Sequence, residues 1–383
     1  MADMVKLGEL IQPWKDMVQV EDPRSVPLIS VKLHGQGAVR REIGDGKAPK
    51  PFTGNRGRAG QFVFSRIWAR RGAMALLPSS LDGVVVTNEF PLFDINQNRL
   101  EPKYLLYLVQ TRAFLDELER VSAGASGQNR VKESAFLNIA VQLPPLDEQR
   151  RIVEILDRVD AIRAKRRRML ADFDELPRSL FMIMFNDVSE HTCLSYYVRG
   201  FISGKSLVSE IDSGNKVLKT SAVANNNFDG SQVKYLPAEY VPKTEHKINV
   251  GDVLVNRKNT LNLVGSAGYV WKAPDDTYLS DLLWKVDVDG SKCNPIFLWQ
   301  MLISGTVHSQ ICNMATGAHS SMVNITKSSM LDLPVKKVPI SLQREFARRV
   351  EAIAAARAKV ERALALDDEL FASLQSRAFR GEL

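Results

Sequence analysis

Three stretches of this chain approach patterns that carry chemistry. Gly200-Phe201-Ile202-Ser203-Gly204-Lys205-Ser206 has the glycines, lysine and hydroxyl of a phosphate-wrapping loop. Only three residues separate its glycines, where that loop needs four, so the stretch reads as a turn. Asn294-Pro295-Ile296-Phe297 approaches the Asn-Pro-Pro-aromatic pattern that holds a target amine for methyl transfer. It lacks the second proline, and no glycine-rich cofactor loop precedes it. An N-cap asparagine followed by proline at the first helical position accounts for the same residues. Pro274-Asp275-Asp276 would open a metal-dependent nuclease centre only with a second acid two residues before a lysine. Leu283 stands there, ahead of Lys285. The histidines (His34, His191, His246, His308, His319) are scattered and form no HExxH-type metal pair. Cys193, Cys293 and Cys312 form neither a CxxC pair nor a disulfide framework. These side chains point to a binding protein without catalysis of its own. The alternative is a self-contained DNA adenine methyltransferase or nuclease, which cofactor binding by the isolated chain would favour.

A binding protein needs a partner, and the charge gives its sign. The chain has 383 residues and a net charge of +7, a balance that favours polyanions. The excess is concentrated: Lys32 to Arg71 holds ten basic residues against only Glu42 and Asp45. With 45% hydrophobic and 25% charged residues, a disordered chain is excluded, and the length suits two to four units. No apolar run approaches the ~18 residues that cross a bilayer. The amino-terminal MADMVKLGEL has early acids and no signal-peptide core. A cytoplasmic protein with no membrane contact is expected.

The chain is written twice. At a shift of 194, Gln149-Arg150 falls on Gln343-Arg344, Arg163-Ala164-Lys165 on Arg357-Ala358-Lys359, and Asp174-Glu175-Leu176 on Asp368-Glu369-Leu370. At 191, Gly60 to Arg66 parallels Gly251 to Arg257; at 193, Pro102 to Leu105 parallels Pro295 to Leu298. Small drifts in shift are what loop insertions leave in a duplicated unit. The order is globule (1–145), helix (146–185), globule (186–338), helix (339–383).

In the first helix Ile155, Val159, Ile162, Met169, Phe173, Leu176 and Leu180 step by alternating fours and threes, with Arg166 at the missing position. In the second, Phe346, Val350, Ile353, Val360, Leu364, Phe371 and Leu374 do the same, with Arg357 and Asp367 as exceptions. That spacing predicts a coiled-coil seam; two amphipathic helices, each packed on its own globule, would share it. Pro144-Pro145 and Pro339 mark where extended chain stops before each helix, and Pro177 should kink or break the first. The globules read as mixed α/β. Val84 to Val86 and Asp252 to Val255 are strand-like, and Pro102 to Leu118 and Pro295 to Val307 helix-like. Thr53 to Gly60 and Asn225 to Gly230 read as loops.

Leu143-Pro144-Pro145-Leu146-Asp147-Glu148-Gln149-Arg150-Arg151-Ile152 resembles the entry to the central helix of type I restriction-modification specificity subunits. Leu374 to Leu383 looks like the usual end of that family. Ser122-Ala123-Gly124 and Ala315-Thr316-Gly317 are similar to its glycine turns, and Gly251 to Val255 also fits its pattern. The second helix entry, Val338-Pro339-Ile340-Ser341-Leu342-Gln343, departs from the pattern: it lacks the double proline and the acid before Gln. The resemblance covers essentially the whole chain. It implies an α+β fold of two target recognition domains, held apart by two long helices in an antiparallel coiled coil with an internal pseudo-two-fold repeat. It also implies a non-catalytic subunit that reads an asymmetric, bipartite site on double-stranded DNA. Two methyltransferase subunits would supply S-adenosylmethionine binding, with no cofactor bound directly by this chain, and motor-nuclease subunits would complete the assembly. Elementary geometry is compatible: a helix of about 30–35 residues spans roughly 45–53 Å at ~1.5 Å per residue, against about 34–36 Å for one DNA turn.

Arginine pairs bidentately with guanine and asparagine with adenine, while phosphate contacts position the protein. In the first globule the candidates are Arg56, Arg58, Arg66, Arg70, Arg71, Asn129 and Arg130. In the second they are Lys219, Asn225, Asn226, Arg257, Lys258, Asn259, His319, Ser320 and Ser321. A solvated arginine or an asparagine turn would account for any one of them. The run Arg163, Lys165, Arg166, Arg167, Arg168 on the first helix fits phosphate or acidic-partner contact. It equally fits a solvated face with Arg166 as a polar seam position that sets register.

Overall fold

The structure, a computed structural model, describes residues 3–43, 50–122, 130–317 and 322–383. It is a mixed α+β protein that divides into two compact units, Met1–Arg166 with Ala363–Leu383, and Arg167–Arg362. The first globule carries helices α1 (Pro102–Leu108), α2 (Arg112–Ser122) and α3 (Glu133–Leu137), and runs into α4 (Leu146–Phe185). The second carries α5 (Pro295–Leu302), α6 (Gly305–Met314) and α7 (Lys327–Leu331), and runs into α8 (Ile340–Ala378). The unit boundary cuts both long helices near their middles, so each unit owns a globule and a piece of each helix.

The two globules share one design. In the first, a four-stranded antiparallel sheet has the order Ile11–Trp14, Leu92–Ile95, Phe62–Phe64, Met74–Leu76. In the second, the order is Val198–Ser203, Leu283–Val288, Val253–Asn256, Ala267–Tyr269. Successive side chains of a strand face opposite ways, and both sheets are covered on both faces. Phe62 and Phe64 join the cluster of Phe93, Leu105, Phe114 and Phe136, while Val63 joins Ala73, Ala75 and Leu77 on the other side. Their counterparts repeat the division: Val253 and Val255 pack with Phe297, Leu298 and Ile311, and Leu254 packs with Leu218, Val223 and Leu279. A short ladder ties the start of each globule to the strand before its helix, Asp3–Lys6 to Ala140–Leu143 and His191–Cys193 to Pro334–Lys336. The accessory sheets have diverged, with five strands in the first globule and three in the second.

One residue locks each helix entry. Gln149 is fully buried; its Nε2 donates to the carbonyls of Arg99 and Pro144, both at 2.9 Å, and its Oε1 accepts from the Glu101 amide at 2.8 Å. Gln343, also fully buried, donates to Lys292 (3.1 Å) and Val338 (2.8 Å) and accepts from Asn294 (2.9 Å). One amide thus satisfies three backbone groups that burial would otherwise orphan.

Several local expectations change. Pro177 does not break α4, which continues to Phe185; the proline costs one backbone donor but leaves the ladder on either side. The helix-like run from Pro102 splits in two. Thr111 Oγ1 accepts from the Phe114 amide, capping α2, and donates to the Leu108 carbonyl that ends α1. Thr53 to Gly60 is not all loop, because Phe52–Arg56 pairs with Met17–Val20 and Val85–Val86, and long-range pairing overrides its polar composition. Gly200 to Ser203 is strand rather than turn. Gly204 follows it because a Cβ there would lie 1.7 Å from the Leu279 carbonyl oxygen.

The packed face of α4 is rotated from the expected seam. Ile162, Met169 and Leu176 are 48%, 37% and 43% exposed. Ile155, Val159, Phe173 and Leu180 are half-buried, as is Arg166 at its expected seam position, while Leu156, Arg163 and Leu170, outside that seam, share the covered side. The reason is arginine: its aliphatic stem covers apolar surface while its head finds an acid. On α8, Phe346 and Val350 are buried, and Ile353, Val360, Leu364, Phe371 and Leu374 are half-buried on one face. Within the first unit Arg163 pairs with Asp368 at 2.6 Å and Arg166 with Asp367 at 2.5 Å. Within the second, Arg357 pairs with Asp174 at 3.0 Å, and the Phe181 and Phe346 rings meet edge-on at 5.6 Å. In each unit, rising numbers along α4 therefore meet falling numbers along α8.

Candidate nucleic-acid interface

Arg66 and Arg257 occupy the same place in the two globules. The Arg66 amide donates to the Glu89 carbonyl, and the Arg66 carbonyl accepts from the Val131 amide. The Arg257 amide donates to the Leu282 carbonyl, and its carbonyl accepts from the Ile325 amide. Each arginine follows the strand that crosses the core: Arg66, two residues beyond it, opens a turn, and Arg257, directly after it, leads into the short strand Lys258–Asn259. Neither guanidinium is simply solvated. Arg66 pairs with Glu133, and its Nε is buried without a hydrogen-bond partner. Arg257 donates from Nε to Asn324 Oδ1 at 3.1 Å and from Nη1 to the Asp281 carbonyl at 3.3 Å.

Around Arg66 the turn is pinned by one acid. Glu89 Oε1 accepts from Ser65 Oγ (3.1 Å) and from the Ile67 amide (2.8 Å), and its Oε2 pairs with Arg130. The Trp68 amide donates to Ser65 Oγ, and Gly72, at φ 73°, closes the turn after Arg71. Trp68 stands exposed, with the Arg71 guanidinium 5.4 Å from its ring centroid. Arg56 and Arg58 lie together at the end of another strand. The Arg56 carbonyl accepts from Trp14 Nε1, and Arg58 stacks 3.6 Å over the Trp14 ring and pairs with Asp94 at 3.5 Å. Arg70, next to Arg71 in sequence, is half-buried. Asn129 lies outside the described residues.

The second set divides. Lys258 and Asn259 form a two-residue ladder with Val323–Asn324, half-exposed, directly after Arg257. Lys219 is exposed at the start of a turn whose Thr220 carbonyl accepts from Asn256 Nδ2. Asn225 and Asn226 are set apart, lining a cavity of about 590 Å³ with Trp271, Trp299, Gln300 and residues of the two long helices. Asn226 is spent within the fold. It adopts a left-handed backbone (φ 58°), its Oδ1 accepts from the Ala267 amide at 3.3 Å, and its carbonyl accepts from Trp299 Nε1 at 3.0 Å. His319, Ser320 and Ser321 lie outside the described residues.

On α4, Arg163 and Arg166 are committed to acids of α8, while Lys165 and Arg168 are exposed. Residue types alone passed over two features. Ile67 and Trp68, exposed on the pinned turn after Arg66, are apolar and so escape a search for polar side chains. Gln149 and Gln343 were visible as matched letters of the repeat and of the helix-entry motif, but not as buried locks. Nearby titration is governed by burial: the Tyr107 hydroxyl is pushed well up, first by burial and then by its hydrogen bond to Asp157, and the Cys293 thiol is pushed up by burial. Among the described residues no group of three or more His, Cys, Asp or Glu could hold a metal ion. No helix among them is long and apolar enough to cross a membrane.

Residues 59–170 match the family described as type I restriction modification DNA specificity domain. The type I restriction enzyme EcoKI specificity subunit of Escherichia coli K12 is 25% identical over 315 residues, covering 73% of this chain and 65% of that one. The EcoEI specificity subunit of Escherichia coli is 24% identical over 135 residues, covering 35% of this chain and 23% of its own. The chain therefore spans less than two thirds of the length of these relatives. A chain from a solved structure on complex assembly and conformational transition of the type I R-M system aligns at TM-score 0.55 with 18% identity, covering 100% of this chain and 98% of its own. The type I restriction-modification S subunit of M. genitalium aligns at 0.53 with 12% identity, covering 99% and 96%. These two show the fold.

Proposed function

We infer that this chain belongs with the type I restriction-modification specificity subunits and reads DNA sequence for a methyltransferase complex. The observation that carries the reading is the shared backbone frame around Arg66 and Arg257, which presents unlike side chains from two copies of one globule. Two unlike readers on one chain suit an asymmetric, bipartite site, where a symmetric homodimer would read a palindrome.

In this reading α4 and α8 form an antiparallel coiled coil, supported by the ion pairs found separately in each unit. The globules, 1–145 and 186–338, are the target recognition domains, and 146–185 and 339–383 the spacer helices. Arg56, Arg58, Arg71, Lys219, Lys258 and Asn259 contact DNA, while Arg66, Arg130 and Arg257 shape the turns that do so. Two methyltransferase subunits bring S-adenosylmethionine and methylate adenine, motor-nuclease subunits join for cleavage, and this chain performs no chemistry. The complex works in the cytoplasm.

Mapping methylated adenines genome-wide, with and without the gene, tests this. A split, asymmetric motif that vanishes on deletion is expected. Methylation unchanged by deletion, or a continuous palindromic motif, would refute it.

A further inference from the structure

Directly after the matched arginines the two globules diverge in kind: Ile67-Trp68 in the first, Lys258-Asn259 in the second. Ile67 and Trp68 are 42% and 46% exposed. A single exposed apolar side chain needs no explanation; here two adjacent ones sit on a pinned turn. The Ile67 amide is held by Glu89 Oε1 and the Trp68 amide by Ser65 Oγ, while Ala69 is buried and Gly72 fixes the exit. The backbone therefore holds both side chains outward instead of letting them fold back onto the core. They lie at the end of the segment Lys32 to Arg71, which holds ten basic residues against two acids and favours a polyanionic occupant.

We propose that Ile67 and Trp68 read the first half-site through apolar contact with the 5-methyl group of thymine, whereas Lys258 and Asn259 read the second through polar contacts. The proposal rests on the DNA-reading function above. The thymine methyl is the one apolar group on a major-groove base edge, so it is the feature an isoleucine–tryptophan surface can select. Insertion of the ring between bases fits less well. Arg71 stacks by one face of Trp68, and the turn leaves the backbone no slack to extend.

The test uses the chain in its methyltransferase complex and a randomised duplex pool. Wild type should enrich a bipartite motif with thymine in one half. Trp68→Ala and Ile67→Thr should lose preference at that thymine and keep the other half intact, which also shows that the variants fold. Replacing that thymine by uracil removes only the methyl group. It should weaken wild-type binding by about fourfold and leave the Trp68→Ala complex unchanged. A wild-type pool with no motif sinks the DNA-reading function and this inference together. A motif whose halves are both untouched by Trp68→Ala and Ile67→Thr, or a uracil duplex bound as well as thymine, sinks the inference alone.

Discussion

Replacing Gln149 by alanine removes an amide with no solvent exposure and three hydrogen bonds of 2.8–2.9 Å. The Glu101 amide then has no acceptor, and the carbonyls of Arg99 and Pro144 each lose a donor. An orphaned buried group costs about 1–3 kcal/mol. Carbonyls tolerate the loss better than an N–H, and a water entering the vacated space would recover part of it. The net expectation is about 2–4 kcal/mol, a large share of the roughly 5–15 kcal/mol that holds a domain folded. Gln149→Glu should be at least as harmful at neutral pH, because it aims a buried anion at two carbonyls. Hydrogen exchange read by mass spectrometry is the suitable assay, since it reports each unit separately. Gln149→Ala should release protection around 99–105 and 145–156 and leave 292–302 and 339–350 unchanged; Gln343→Ala should do the reverse. A loss below about 0.5 kcal/mol, within the range of ordinary surface substitutions, would refute the lock. So would equal loosening of both units by either variant.

Two further outcomes follow from side-chain partnerships. Arg166→Asp and Asp367→Arg, each alone, should destabilise the first unit by about 1–2 kcal/mol and largely compensate when combined, because the side chains are 32% and 17% exposed and 2.5 Å apart. Additive losses in a denaturation cycle would deny the coupling. In the native protein at pH 7.5, iodoacetamide should label exposed Cys193 first and leave Cys293 intact, since burial raises the Cys293 thiol and keeps it from the reactive thiolate form. Equal labelling by peptide mass spectrometry would count against that.

Features set by neighbours in sequence were legible. Pro145 and Pro339 stand immediately before α4 and α8, and Asn294 caps α5 through its Oδ1, which accepts from the amides of Ile296 and Phe297. The duplication laid Gly60 to Arg66 on Gly251 to Arg257, of which Asp252 to Val255 read as strand-like, and the structure has strands at 62–64 and 253–256, where each pattern fills two cores at once. The covered face of α4 was legible only in part: Arg166 was read at a seam position, but counting apolar letters skips Arg163, whose stem does the covering and whose head finds an acid 205 residues away. Asn226 shows the same limit. An exposed reader and a turn residue are spelled alike, and only its left-handed backbone and its bond to Ala267 separate them.

The glutamine joint and the arginine seam restrain different motions. An amide with one donor group and one acceptor group at fixed angles is satisfied at a single azimuth, so a helix that rolled about its axis would orphan all three partners at once. A greasy interface tolerates such rolling, since one methyl replaces another. Rotational phase is thus set at Gln149 and Gln343, while Arg163 and Arg166, meeting Asp368 and Asp367 head to head, resist axial sliding. Leucines at every contact would give more cohesion and less definition in both coordinates.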